Sequence, residues 1–113
     1  MNWHKLTEEN QLEIIKKESF NQPILIFKHS TTCSISATAF GRLERKWNDK
    51  EAGNLKPYYL DLLRFRQISN KIAQDFGVFH ESPQAIIIEN GKAVYDASHF
   101  DIDFSAITGQ LSM

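Results

Sequence analysis

Apolar residues in this chain fall into short continuous runs and into longer stretches with helical spacing. The run from Pro23 to Phe27 is β-branched and unbroken, which is typical of a central strand covered on both faces. Residues 58–62, Tyr-Tyr-Leu-Asp-Leu, indicate a second strand, and a further apolar run begins at Ala85. Asn90-Gly91 is the strongest short signal for a two-residue hairpin turn, so the last two strands should be antiparallel. The predicted strands are 23–27, 58–62, 85–89 and 92–96.

Side chains three and four residues apart predict four helices between and around these strands. Thr7 is expected to cap the first helix, with Glu8 and Glu9 in its first turn and Lys16 and Lys17 near its last. Three further helices follow: one from Cys33 to near Asn48 through Ile35, Ala39, Leu43 and Trp47, one through Ile68, Ile72 and Phe76 to Gly77, and one capped by Asp103 through Ile107 and Leu111.

This order of elements predicts an α/β fold. A strand, a helix and a second strand form a βαβ unit with parallel pairing and a right-handed crossover. The later hairpin makes the sheet mixed, and an N-terminal helix precedes the unit. With 113 residues and no linker, repeat or low-complexity segment, the chain is expected to be one domain, residues 1–113.

Composition and charge narrow the classes of partner. Thirteen basic and fourteen acidic residues give a net charge of −1, so no global field favours nucleic acid or an anionic membrane. The start of the chain has no apolar signal core, and no apolar run is long enough to span a bilayer. Neither nucleic acid nor a membrane is expected as a partner, and we expect a cytoplasmic protein.

The single cysteine, Cys33, is the strongest candidate for chemistry. One thiol cannot close an intramolecular disulfide or form a zinc site alone, so it is free or reacts with another molecule. Its place between a buried strand and a helix lets helix N–H groups stabilise a thiolate. Lys28 and His29 could add charge, but alternation puts them on opposite faces, and Lys28 is as readily a solvated strand-end charge. The bland alternative for Cys33 is a small buried hydrophobe.

Two neighbouring features bear on that thiol. Ser36 completes a C-x-x-S pattern, where it can hydrogen-bond a thiolate or simply contact the backbone in the first helical turn, but cannot resolve a disulfide. Ser82-Pro83 precedes a strand, where proline cannot donate to the ladder and the preceding bond can be cis. The scattered histidines show no ligand spacing, so no metal site is predicted.

The order of elements, the cysteine at the start of the first long helix and the Ser-Pro before the hairpin resemble a thioredoxin-fold protein. Residues 27–36 (Phe-Lys-His-Ser-Thr-Thr-Cys-Ser-Ile-Ser) and 80–84 (His-Glu-Ser-Pro-Gln) resemble, more narrowly, the monothiol bacilliredoxin family, also called YtxJ-like general stress proteins. That family usually has Thr-Cys-Pro-Ile-Ser, and Ser34 stands here where its proline would be.

The resemblance implies a stress-response redox protein that removes bacillithiol, a low-molecular-weight thiol, from mixed disulfides on bacillithiolated client proteins. Cys33 would attack, Pro83 would be the cis-proline beside it, and the backbone of Ser82 would pair with an extended client. No bound cofactor is implied, because bacillithiol is a co-substrate, and an external thiol or redoxin would regenerate Cys33. The implied contacts to the thiol or the client come from Thr32, Ser34, His80 and Glu81.

Three alternatives stay open from the residues. The chain could be a non-catalytic binding or adaptor module on a thioredoxin scaffold, in which Cys33 is buried and inert. The loop residues His80 and Glu81 could be merely solvated. Glutathione could also stand in place of bacillithiol. The discriminating observation between the first alternative and the enzyme is the exposure of the sulfur at the helix N-terminus.

Overall fold

A five-stranded mixed sheet forms the centre of the molecule in this computed structural model, which describes residues 2–111. In chain order the elements are β1 His4–Lys5, α1 Gln11–Glu18, β2 Ile24–His29, α2 Ser34–Lys46, α3 Asp49–Ala52, β3 Lys56–Asp61, α4 Arg66–Phe76, β4 Gln84–Glu89, β5 Lys92–Ser98 and α5 Phe104–Thr108. A 3-10 turn, His99–Asp101, lies between β5 and α5.

The strand order is β1-β3-β2-β4-β5, with β1, β3 and β2 parallel and β4 and β5 antiparallel to their neighbours. The predicted βαβ unit, the C-terminal hairpin and the mixed α/β class are therefore confirmed. Lys28 near the end of β2 pairs with Gln84 at the start of β4. The loop that follows β2 and the loop that precedes β4 consequently lie at the same edge of the sheet.

Alternation along β2 divides the core into two layers. Ile24 and Ile26 face a cluster that contains side chains of α1 and α4. Leu25 and Phe27 face a second cluster that contains side chains of α2, α3 and α5. All four are completely buried, as expected of a central strand with helices on both sides. By the same alternation Lys28 lies on the α1 and α4 side, and His29 on the α2 side.

The start of α1 corrects a sequence prediction. Thr7 does not cap this helix, which begins at Gln11, so Glu8 and Glu9 precede it rather than occupy its first turn. The reason is the side chain of Gln11, whose Oε1 accepts hydrogen bonds from the backbone N–H groups of Thr7 and Glu8 at 2.7 and 2.9 Å. These bonds hold the preceding residues as a turn. Lys16 and Lys17 do lie in the last helical turn.

Two short elements have no counterpart in the predicted order. Strand β1 is an edge strand of two exposed residues, so no apolar pattern marks it. Helix α3 lies in a polar stretch, where Asn48 accepts hydrogen bonds from the N–H groups of Lys50 and Glu51. Among residues 2–111, no helix is long and apolar enough to cross a membrane.

Several turn and cap predictions are confirmed, with small shifts in the bounds. Asn90 and Gly91 both have positive φ, 52° and 77°, as the tight hairpin turn requires. Gly77 ends α4 in the left-handed conformation. Asp103 caps α5 through the N–H of Ala106. The first core strand extends two residues further than predicted, to His29; β3 spans 56–61 instead of 58–62, α2 ends at 46 and α5 ends at 108.

Candidate active site

The thiol of Cys33 lies at the first turn of α2, at the sheet edge just defined. Cys33 is the N-cap residue of this helix, and its carbonyl accepts the first helical hydrogen bond, from Ala37 N–H at 3.0 Å. Its own N–H donates to the carbonyl of Ser30 at 3.1 Å, which closes the loop tightly. The residue is partly exposed, between the exposed Thr32 and Ser34. Cys33 is therefore partly exposed, as reactive cysteines are, whereas structural cysteines are buried.

Ser36 is completely buried one turn into α2 and anchors the cysteine loop. Its Oγ accepts a hydrogen bond from the backbone N–H of Ser30 at 2.9 Å and lies 2.6 Å from Nδ1 of His29. Among residues 2–111 these two are its hydrogen-bond partners, and the thiol is not one of them. Of the two interpretations of Ser36, the structure therefore favours backbone anchoring over a bond to the sulfur.

His29 fills the space beneath α2 with a buried aromatic ring. The ring stacks on Phe40 with centroids 5.2 Å apart and lies 5.7 Å from Tyr59. Burial lowers the pKa of His29, and the negative charge of Asp61 opposes this only in part. Because Ser36 Oγ already accepts from a backbone N–H, its own proton is free to be donated to Nδ1 of a neutral His29. His29 thus supports the loop from below.

The Ser82-Pro83 bond is cis, as expected from the resemblance. Pro83 is buried, and its carbonyl accepts a hydrogen bond from the N–H of His99 at 3.1 Å, which ties the proline to the end of β5. The hydroxyl of Ser82 is buried without a hydrogen-bond partner in the described part of the chain. Residues 82–83 lie at the same sheet edge as Cys33, and direct packing of Pro83 on the thiol stays a prediction.

The structure overturns the interpretation of Lys28 as a solvated strand-end charge. Its side chain is completely buried. Nζ donates to the backbone carbonyl of Ser69 in α4 at 3.2 Å and lies 3.3 Å from Nδ1 of His80. Burial lowers the pKa of Lys28 to about 8. The side chain points to the face opposite α2, so neither Lys28 nor His29 makes a hydrogen bond to the thiol within residues 2–111.

His80 and Glu81 lie in the loop before the cis-proline, and both are exposed. His80 is not simply solvated, because its Nδ1 lies 3.1 Å from the hydroxyl of Ser69 as well as near Lys28. Burial and the charge of Lys28 lower its pKa. Glu81 Oε2 lies 3.7 Å from Nε2 of His99, at the end of β5.

Sequence reasoning missed Ser69 and Gln84. Gln84 is completely buried and fixes the loop: its Nε2 donates to the carbonyl of Phe79 at 2.9 Å, and its Oε1 accepts from the N–H of Glu81 at 3.4 Å. A signal was available for Lys28 and Gln84, since each is a polar residue at the end of an otherwise apolar strand. Nothing in the local sequence marks Ser69. No group of three His, Cys, Asp or Glu side chains suited to a metal occurs in residues 2–111.

Comparison with solved structures defines the class of fold. A structure described as a candidate oxidoreductase with a thioredoxin fold superposes with a TM-score of 0.81 at 34% identity, over 95% of this chain and 91% of that one. Thioredoxin O2 from Arabidopsis thaliana gives a TM-score of 0.73 at 13% identity, over 96% and 93%. Thioredoxin from Fasciola hepatica gives 0.69 at 17%, over 94% and 93%. The molecule has the thioredoxin fold.

A family model narrows this class. The model described as monothiol bacilliredoxin BrxC matches residues 4–107, which include both loops at the thiol edge. The chain therefore belongs to the monothiol bacilliredoxin family, and the family and the fold together support a thiol redox function.

Proposed function

We propose that this protein removes bacillithiol from mixed disulfides on client proteins, using Cys33 as the attacking thiol. The observation that carries the proposal is the only cysteine of the chain, partly exposed at the first turn of α2, in a member of the monothiol bacilliredoxin family. A thiolate at a helix N-terminus is favoured by the unpaired N–H groups and the helix dipole. The exposure argues against the alternative of an inert adaptor.

The exchange balances without an added oxidant or reductant. The Cys33 thiolate attacks the bacillithiol sulfur of the mixed disulfide, and the bond between that sulfur and the client sulfur breaks. The client leaves as a thiolate and takes up a proton from water. Cys33 is left in a disulfide with bacillithiol, and one disulfide has replaced another.

Regeneration needs a thiol from outside the chain. Ser36 lies where a dithiol redoxin has its second cysteine. Its side chain is buried, and its hydroxyl forms hydrogen bonds with the N–H of Ser30 and with His29. An external low-molecular-weight thiol or a redoxin must therefore attack the capped Cys33. We place this cycle in the cytoplasm, where thiols are kept reduced, in a cell under oxidative stress.

The two loops at the sheet edge supply the contacts that the reaction needs. Thr32 and Ser34 flank the thiol and are exposed, so both can reach the bound disulfide. On the other side, the backbone of Ser82 offers an open edge to an extended client segment, in the manner of strand addition. His80 and Glu81 stand at the border of this edge.

The test is exchange with a purified client that carries bacillithiol on one cysteine. We expect mass spectrometry to find bacillithiol on Cys33 as the client thiol is freed. Cys33→Ser should abolish transfer, while Ser36→Ala should retain most of it, because Ser36 only supports the loop. A client carrying glutathione is run in parallel to determine which thiol is preferred.

Two results would contradict the proposal. If several bacillithiolated clients stay modified although Cys33 is reduced and accessible to alkylation, the protein is a binding module instead. If Cys33→Ser transfers the thiol as well as the natural protein does, Cys33 is not the nucleophile.

A further inference from the structure

Lys28 is a buried cation that the exchange chemistry leaves unused. Its side chain is completely buried on the apolar α1 and α4 side of the sheet. Among residues 2–111 it forms no ion pair with a carboxylate, and its Nζ has two partners, the carbonyl of Ser69 and the ring of His80. Burying a charge without a counterion costs stability, and a methionine of similar volume would avoid the cost. Such a residue needs another reason to be there.

The contacts of Lys28 determine where the proton of His80 lies. A lysine ammonium can only donate, so Nδ1 of His80, 3.3 Å from Nζ, must accept. The hydroxyl of Ser69, 3.1 Å from the same nitrogen, is a second donor to it. The proton of the neutral ring is therefore on Nε2. Burial and the charge of Lys28 lower the pKa of His80, which favours the neutral ring.

His80 lies in the loop that leads to the cis-proline and is exposed as a residue. Its Nδ1 contacts the buried Lys28, which leaves the Nε2 edge as the part of the ring that can face solvent, and Ser82 follows two residues later in the chain. The loop itself is fixed from beneath by Gln84, which contacts Phe79 and Glu81. Lys28 and Gln84 pair across β2 and β4, so two adjacent buried polar side chains hold the loop in place.

We propose that Lys28 is a positioning residue: together with Ser69 it holds His80 as a neutral ring protonated on Nε2, and so presents one hydrogen-bond donor beside Ser82-Pro83 to a carboxylate oxygen of the low-molecular-weight thiol. This inference rests on the proposed function, because the donor serves the mixed disulfide that Cys33 attacks. It assigns Lys28 and Ser69 a role through His80, not a contact with the substrate.

The first test measures the ring directly and needs no activity. In ¹⁵N NMR of the full chain, His80 should show its proton on Nε2 alone. Lys28→Met should give a mixture of tautomers, because the remaining Ser69 hydroxyl can either donate to Nδ1 or accept from it, whereas the ammonium could only donate. It should also raise the pKa of His80, because a positive charge is removed. The other charged groups that bear on this ring are Arg66 of α4 and the neighbouring Glu81. Arg66→Gln is the matched control: it removes a charge but no hydrogen bond, so the tautomer should not change.

The second test separates binding from chemistry. Loss of one oriented hydrogen bond should raise KM for a bacillithiolated client about 5- to 15-fold in Lys28→Met, with kcat within about 2-fold. His80→Gln should raise KM less than His80→Ala does, because its amide keeps a donor near the position of Nε2. His80→Ala should raise KM as Lys28→Met does. Combining His80→Ala with Lys28→Met should add nothing further, since both act through one ring.

Distinct results overturn the inference and the function. An unchanged tautomer in Lys28→Met overturns the inference, whether or not the protein transfers bacillithiol. An altered tautomer with an unchanged KM also overturns it, because the donor then serves no ligand. If Lys28→Met does not fold, the comparison of His80→Gln with His80→Ala decides, and equal KM values contradict the proposal. Absence of transfer in the natural protein, with the Nε2 tautomer intact, is failure of the proposed function alone.

Discussion

Two consecutive residues of β2, Lys28 and His29, are both buried polar groups, yet they lie in opposite surroundings. The ring of His29 stacks on Phe40 and is 2.6 Å from the hydroxyl of Ser36, so aromatic packing and a hydrogen bond compensate its burial. Because a neutral imidazole carries no charge, this side of the strand adds to stability. It also holds the loop that carries Cys33.

Within residues 2–111, Lys28 has no carboxylate counterion and does not lie over a Phe, Tyr or Trp ring. In this part of the chain its ammonium has two polar partners, the carbonyl of Ser69 and Nδ1 of His80. This side of the strand costs stability and holds the loop before Pro83. One strand, β2, therefore supports both loops at the thiol edge. It supports the Cys33 loop by aromatic packing and the loop before Pro83 by a buried charge that lowers stability.

The largest effect on stability is expected from removing an aromatic ring on the His29 side of β2. Phe40→Ala should lower the free energy of unfolding by about 3 kcal/mol in urea denaturation, because a half-buried ring is lost from a packed cluster. The centroids of four other rings lie 5.2–5.4 Å from the centroid of Phe40: those of His29, Trp3, Phe27 and Tyr59. Phe100→Ala is the control, since Phe100 is 73% exposed, and should change stability by less than about 0.5 kcal/mol. Equal losses would contradict the packing account.

Removing the buried charge of Lys28 should change how the free energy of unfolding depends on pH. Folded Lys28 loses its proton near pH 8, while the unfolded chain holds it to about 10.5. The unfolded state binds more protons in this window, so the natural protein gains stability as pH rises, by at most about 3 kcal/mol. Lys28→Met lacks this gain. The stability of the two proteins is compared by urea denaturation from pH 7 to 10.5.

Lys92→Met provides the matched control for that comparison, because Lys92 is exposed on β5. It should follow the natural protein across the same pH range. A difference between Lys28→Met and the natural protein that is constant with pH would show that Lys28 carries no buried charge.

A pair of serine variants compares the two anchors. Ser36→Ala should cost about 2 kcal/mol, because it leaves the N–H of Ser30 and Nδ1 of His29 without their partner. Ser69→Ala should cost about 1 kcal/mol or less, because Lys28 still donates to Nδ1 of His80. Both are measured by thermal and urea unfolding at pH 7. The reverse order would mean that Ser69, not Ser36, is the stronger anchor.

The smallest effect on the free energy of unfolding is expected at acidic pH. The pKa values of His29 and His80 are both lowered in the folded state, His29 by burial and His80 by burial and by Lys28. Below about pH 6.5 the unfolded chain therefore takes up protons that the folded state does not, and stability falls by at most about 1.4 kcal/mol per pH unit for each ring. His29→Asn should flatten this slope more than His80→Gln, since His29 is buried and His80 exposed.

Much of the fold followed from local sequence signals. Hydrophobic runs marked the central strands, because a strand covered on both faces is apolar over most of its length. The turn at Asn90-Gly91 and the end of α4 at Gly77 followed from backbone conformations that few residues adopt. Strand β1 and the start of α1 were not predictable in this way. The first depends on pairing with β3, and the second on the side chain of Gln11 bonding a turn that precedes it.

The amino-acid sequence by itself determined the candidate nucleophile, because the chain has one cysteine and it lies at a strand-to-helix junction. It also determined that the chain has no second thiol to resolve a mixed disulfide. Only the tertiary structure decided the surroundings. Alternation along β2 separates Lys28 from His29, but the identity of each partner depends on residues 41 and 7 positions away, Ser69 and Ser36. The local sequence does not distinguish a buried lysine from a solvated one, because the surroundings of the side chain depend on contacts between segments that are distant in the chain.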